Sequence, residues 1–217
     1  MRLVTNLTKL ATGIEDDMKL EKKNYKSIAL KFIITSVLIL IDQYVKYIAD
    51  TNLKLYEYNP VIGDIFGIEY CRNEGIAWGM FQGKVNFITI LTSIITVVMI
   101  WFIFHIELYI NHLKEKISSY TEEKITANTD IYKRIKTIKI LEYTVSVIIA
   151  GAIGNLIDRI ARKYVIDFFY IKIINFPIFN IADIYVTLAM VLLFVLVLIK
   201  IKEEDINALF KSKNKWD

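Results

Sequence analysis

Cysteine, histidine and proline are nearly absent from this chain, with one, two and two residues respectively in 217. A lone Cys71 excludes an intramolecular disulfide and a cysteine-based metal cluster. His105 and His112 alone make a poor metal site, so neither a metal nor a cofactor is expected. Both prolines, Pro60 and Pro177, fall in connections, where a missing backbone donor is tolerated. The net charge of +4 is small, and no nucleic-acid motif accompanies it. Spread over polar extensions, it is better read as proximity to anionic lipid.

Apolar side chains, in contrast, make up 55% of the sequence, and mean hydropathy is +0.42. That is too apolar for an ordinary soluble domain. Four windows, about 27–49, 85–109, 139–157 and 179–201, can cross a hydrocarbon core of roughly 30 Å as helices. Lys and Arg number six in 1–26, six in 110–138 and five in 200–217, against three in 50–84 and four in 158–178. Basic residues are retained in the cytoplasm, so both termini and the 110–138 connection are expected inside. The connections 50–84 and 158–178 then face the exterior. Arg159, Arg162 and Lys163 oppose this rule, which marks them as paired or functional.

The polar first 26 residues lack a small-residue cleavage pattern after the apolar run and are expected to stay attached. Within them Leu3, Leu7, Leu10, Ile14 and Met18 recur at helical spacing, an amphipathic pattern that Gly13 weakens. The 110–138 stretch is read as helical continuations of its neighbours, with a turn near Thr126–Asp130. Residues 52–72 and 165–174 are rich in β-branched and aromatic types and suggest short strands.

Carboxylates near membrane depth cost several kcal/mol unless they are used or satisfied, so each is a functional candidate. Asp42 and Lys46 stand four apart on one helical face, as an ion pair with Lys46 reaching the interface or as part of a site. Arg72-Asn73-Glu74-Gly75-Ile76-Ala77-Trp78-Gly79 is either a simple turn with an interfacial Trp78 or, through Asn73, a donor and acceptor for an extended peptide. In Gly151-Ala152-Ile153-Gly154-Asn155-Leu156-Ile157-Asp158-Arg159, the small residues admit a close helix. Asp158 there opposes the helix dipole, so Arg159 or Lys46 should compensate it. Asn180 with Asp183 three residues on imitates a capping box. Asp167 has no capping role, and Asp183 lies 16 positions further along the chain. A loop of that length can return both carboxylates to one depth, where a shared proton lets one act as base on water while the other polarises a carbonyl.

Together and in this order, Asp42-Gln43 with Lys46, Asn73 and Gly75 with Ala77, GAIGNLIDR at 151–159, VIDF at 165–168 and FPIFNIAD at 176–183 resemble the lipoprotein signal peptidases. These form the signal peptidase II family of bacterial intramembrane aspartyl proteases. The resemblance implies an all-α membrane protein of four transmembrane helices with a small extracytoplasmic β-cradle, in the bacterial cytoplasmic (inner) membrane, with its active site near the outer face. It implies a catalytic dyad of Asp167 and Asp183. Asn73, Gly75, Asn155, Arg159 and Asn180 would bind the substrate or orient the dyad, and Asp42, Lys46 and Asp158 would support it. The implied substrates are diacylglyceryl-modified prolipoproteins, cut just before the lipidated cysteine. Membrane lipids are the remaining partners, and the chain is read as a monomer.

The resemblance covers roughly 27–201, leaving a cytoplasmic extension 1–26 and a tail 202–217 outside it. Trp78 stands where the family more often has phenylalanine, and Ala152 where a second glycine is frequent. A proton- or cation-carrying transporter would require internal repeats and helices interrupted near the midplane, which are not evident. A non-catalytic scaffold would leave the paired aspartates unexplained.

Overall fold

The computed structural model describes residues 2–76, 80–118, 125–211 and 216, with the side chains of 2–25, 118 and 125–128 outside the described set. Among the described residues, four helices are long and apolar enough to cross a membrane, over Lys26–Asn52, Val85–Ile117, Thr129–Arg162 and Ile181–Lys200. They belong to α1 (Arg2–Asn52), α2 (Val85–Ser118), α3 (Ile125–Arg162) and α4 (Ile181–Val195), the last prolonged by a π-helical stretch, Leu196–Lys200. Outward-facing Phe32, Leu40, Ile90, Trp101, Leu188 and Phe194 are more than half exposed, as lipid-facing positions are.

α1 is continuous through Gly13, and the amphipathic face expected of residues 1–26 rests on side chains outside the described set. The expected turn at Thr126–Asp130 is instead helical, because α3 begins at Ile125. Thr, Asn and Asp favour turns weakly, but Ile131, Ile135 and Ile138 just beyond form a buried stripe with Ile106, Ile110 and Leu113 of α2. A short α5 (Glu203–Leu209) closes on that pair of helices. Its buried Asp205 accepts from Tyr109 Oη at 2.8 Å and from Arg134 Nη2 at 2.6 Å, and Trp216 packs between His105, Tyr109 and His112.

At the other end of the bundle lies one antiparallel sheet of β1 (Tyr58–Ile62), β2 (Phe66–Asn73) and β3 (Val165–Tyr170), in that order. Gly67 lets the first two strands approach, since a Cβ there would meet Asn59 O at 2.7 Å. The sheet packs on the end of α1 through Ala49, Tyr70, Ile166 and Phe168. The four-helix membrane architecture with a small sheet read from the sequence is therefore what the chain forms.

The candidate active site

Strand pairing places the first carboxylate. Cys71 of β2 faces Asp167 of β3, and Asn73, two residues along, shares that face and donates from Nδ2 to Asp167 Oδ2 at 2.8 Å. Chain 176–180 then returns along β3. The Phe168 and Phe169 amides donate to Phe179 O at 3.1 and 2.8 Å, and the Phe179 amide donates back to Phe169 O at 3.0 Å. This bridge delivers Asn180 and the start of α4 beside Asp167.

Asn180 caps α4, accepting from the Asp183 amide on Oδ1 at 3.1 Å, while its own amide donates to Asp183 Oδ2 at 3.1 Å. The capping box exists, and its carboxylate also faces the cleft. Asn180 Nδ2, left free by the cap, donates to Asp167 Oδ1 at 2.6 Å and to Asn155 Oδ1 at 3.1 Å. Asn155 Nδ2 donates to Asp183 Oδ1 at 2.9 Å. The amide orientations are fixed: Asn73 Oδ1 accepts from the Gly75 amide at 2.9 Å, Asn155 Oδ1 accepts from Lys46 Nζ at 2.8 Å, and Asn180 Oδ1 is held by the cap. Each side chain therefore turns its NH₂ group towards an aspartate.

Lys46, fully buried, is the hub beneath this layer. Its Nζ lies 2.9 Å from Asp42 Oδ2, 3.0 Å from Asp158 Oδ2 and 2.8 Å from Asn155. Asp42 Oδ1 accepts from the Ala182 amide at 3.0 Å, satisfying another first-turn donor of α4. Asp158 Oδ2 accepts from the Ile166 amide at 3.3 Å, which ties α3 to β3. Gly154 makes room, since a Cβ there would stand 2.5 Å from Asp42 Oδ2. Gly151 does the same against Ala182 O of α4, at 2.7 Å.

Arg159, one of the two cations expected to compensate Asp158, does not bond it. Lys46 does, joined by Arg162 Nη1 at 2.8 Å. Arg162 stands one turn on and reaches back along α3, whereas the buried Arg159 points into the cleft and donates to Gly75 O at 3.3 Å. Gln43 is a further member of this layer that the sequence does not single out. Its Nε2 donates to Gly154 O at 3.0 Å and to Asp42 Oδ2 at 3.1 Å, and the one available signal was an amide beside Asp42 in an apolar run. Ala77 and Trp78 lie outside the described residues.

Asp167 and Asp183 line one cleft of about 1010 Å³, together with Asn73, Asn155 and Arg159. Its remaining wall is largely apolar, with Phe176, Phe179, Val186 and Leu188. Asp167 is 2% exposed. Burial, reinforced by the neighbouring Asp183 charge, pushes its carboxyl up to about 7 against the opposing pull of the Asn73 and Asn180 donors. The Cys71 thiol, on the same wall, is pushed up to about 11 by burial and by Asp167. Among the described residues no group of three or more His, Cys, Asp or Glu side chains is arranged to hold a metal ion. A protonatable carboxyl beside a second carboxylate, both held by amide donors, is equipped for general acid–base work.

The chain matches the sequence model of the family described as Signal peptidase (SPase) II over residues 34–121 and 125–199. It is 35% identical to a lipoprotein signal peptidase of Fusobacterium nucleatum over 73% of this chain and 80% of that one. With a lipoprotein signal peptidase of Lactococcus lactis the identity is 34%, over 78% and 93%. A bacterial membrane enzyme solved by the in meso method at 1.9 Å resolution superposes with a TM-score of 0.58 at 29% identity, covering 80% of this chain and 95% of the other. The matched residues include the blocks that build the aspartate cleft, and on these grounds the chain belongs to the signal peptidase II family of membrane proteases.

Proposed function

We propose that this protein removes signal peptides from diacylglyceryl-modified prolipoproteins, cutting before the lipidated cysteine, with Asp167 and Asp183 activating the attacking water. Family membership supports the substrate class. The aspartic mechanism is supported above all by one observation: three amides, each fixed in orientation, hold two carboxyl groups on the wall of a single cleft.

In this reading Asp183 accepts a proton from water as the oxygen attacks the scissile carbonyl. Asp183 suits that role because the Asn180 amide, the Asn155 side chain and the first turn of α4 all present donors to it. Asp167, the buried member, gives its proton to the carbonyl oxygen. Collapse of the tetrahedral diol sends the proton on Asp183 to the leaving nitrogen and returns one to Asp167, so the pair ends with the single proton it began with. Arg159, Gly75 and Asn73 border the path of an extended peptide and supply partners for its freed amide groups.

The Lys and Arg distribution supports placing both termini in the cytoplasm and the sheet with its aspartates near the outer face. There, the apolar wall of the cleft receives a substrate still anchored in lipid. Residues 27–201 form the catalytic unit, and 1–26 and 202–217 are its cytoplasmic extension and tail.

The test is purified protein in lipid nanodiscs with a diacylglyceryl-modified prolipoprotein and its unmodified precursor, the products read by mass spectrometry. Release of a mature chain beginning at the lipidated cysteine, from the modified substrate only, is expected. Equal cutting of the unmodified precursor, or cutting at another bond, contradicts the proposal.

A further inference from the structure

A second cluster of buried charge lies in the membrane-spanning helices, at the end of the bundle away from the sheet. Lys31 of α1, Glu107 of α2 and Glu142 of α3 are 5%, 7% and 0% exposed. Lys31 precedes Lys46 by 15 residues, about 22 Å along a helix, so this cluster shares no group with the aspartate site. Lys31 also precedes the stretch matched by the family.

Lys31 Nζ donates to Glu107 Oε2 at 2.7 Å and makes a short bond to Glu142 Oε1. Fully ionised, the three groups sum to one negative charge, sealed in a low-dielectric interior where an uncompensated charge is strongly disfavoured. Glu142 Oε2 is buried and finds no donor among the described residues. The carboxyl groups of Glu107 and Glu142 are within hydrogen-bonding reach of each other, yet two carboxylates offer only acceptors. One added proton removes the excess charge and supplies the missing donor.

We propose that Lys31, Glu107 and Glu142 form a proton-binding site, in which Glu142 carries a proton on Oε2 and donates it to Glu107 while Lys31 bridges both. The proton makes the cluster neutral and closes a clamp joining α1, α2 and α3. The charged groups facing it are Lys31 from α1, Glu142 from α3 and, from α2, Glu107 with Lys114 within Coulomb range. A metal cation or a lipid ammonium group fits less well. Lys31, Glu107 and Ser146 line the adjoining apolar cleft of about 280 Å³, whereas Glu142, which owns the unpartnered oxygen, lies behind them.

Infrared difference spectroscopy on the full-length protein in nanodiscs reads the proton directly, as the carbonyl stretch of a protonated carboxyl. Glu142→Gln keeps an acceptor for Lys31 and puts an N–H donor where the O–H stood, so the variant folds and loses one protonated-carboxyl band. Glu107→Gln leaves Glu142 ionised against Lys31 and loses the same single band, which provides a second route should the first variant fold poorly. The band of Asp167 is present in parent and variants alike and cancels in the difference. An unchanged carboxyl region in both variants overturns the proposal. So does a parent protein whose Tm rises with sodium or potassium but not with choline, which assigns the charge to a metal cation. Unfolding of both variants contradicts the neutral clamp as well, because each substitution preserves its charge balance.

Discussion

Asn180 and Asp183 exchange two hydrogen bonds, side chain to backbone in each direction, both at 3.1 Å. The pair starts helix α4, and the same Asn180 reaches Asp167 at 2.6 Å with its remaining amide hydrogens. One residue thus sets the position of both carboxyl groups.

Its two tasks are separable. Asn180→Ser keeps an oxygen that caps a helix but has no N–H to offer Asp167 or Asn155, so it should cost about 1–3 kcal/mol through the lost buried donor alone. Asn180→Ala loses the cap too, at a further cost of about 0.5–2 kcal/mol. Turnover should fall in both variants, and Tm should fall further in the alanine variant than in the serine variant. A serine variant with unimpaired turnover shows that the Asp167 contact is dispensable.

Lys46 carries the charge balance under the site. Lys46→Met leaves Asp42 and Asp158 buried with Arg162 as the remaining ion-pair partner among the described residues, and should cost about 3–5 kcal/mol of stability. Adding Asp42→Asn removes one of the stranded charges and should restore part of the loss. Chemical denaturation of the single and double variants measures both effects. If Lys46→Met unfolds like the parent protein, the hub is not needed for stability.

Asp167 sets a pH dependence. With the carboxyl raised to about 7, its protonated form is depleted above that pH, and turnover should fall there by about tenfold per unit. The stability effect has the same sign. Between the ordinary carboxylate range and about 7, the folded protein holds a proton that the unfolded chain has lost. Stability therefore declines as pH rises through that window and levels off above it. Asp167→Asn should flatten this decline, as a Tm series from pH 4 to 8 would show.

Much of this organisation can be read from the residues, because it depends on local spacing. Asp42 and Lys46 are one turn apart, Asn180 and Asp183 form a capping pattern, and Asp167 stands in an apolar context that offers it no local partner. What cannot be read depends on which helices pack together. Asp158 has cations at 159 and 162 along its own helix, and only the approach of Lys46 and the turn of α3 decide that Arg162 binds it while Arg159 faces the cleft. Lys31 is separated from Glu107 by 76 positions and from Glu142 by 111, and nothing in their flanking residues announces that they meet. The placement of the turn at Thr126–Asp130 failed for the same reason. Contacts between the isoleucine stripe of α3 and α2 outweigh the weak local preference of Thr, Asn and Asp.

The central claim is that Asp167 and Asp183 together activate the water. Asp167→Asn and Asp183→Asn, purified and assayed on a lipidated prolipoprotein, test it most directly. Each variant should stay folded, with a Tm near that of the parent, and each should lose roughly 10²–10⁴-fold or more in kcat. Normal turnover by either variant contradicts the account.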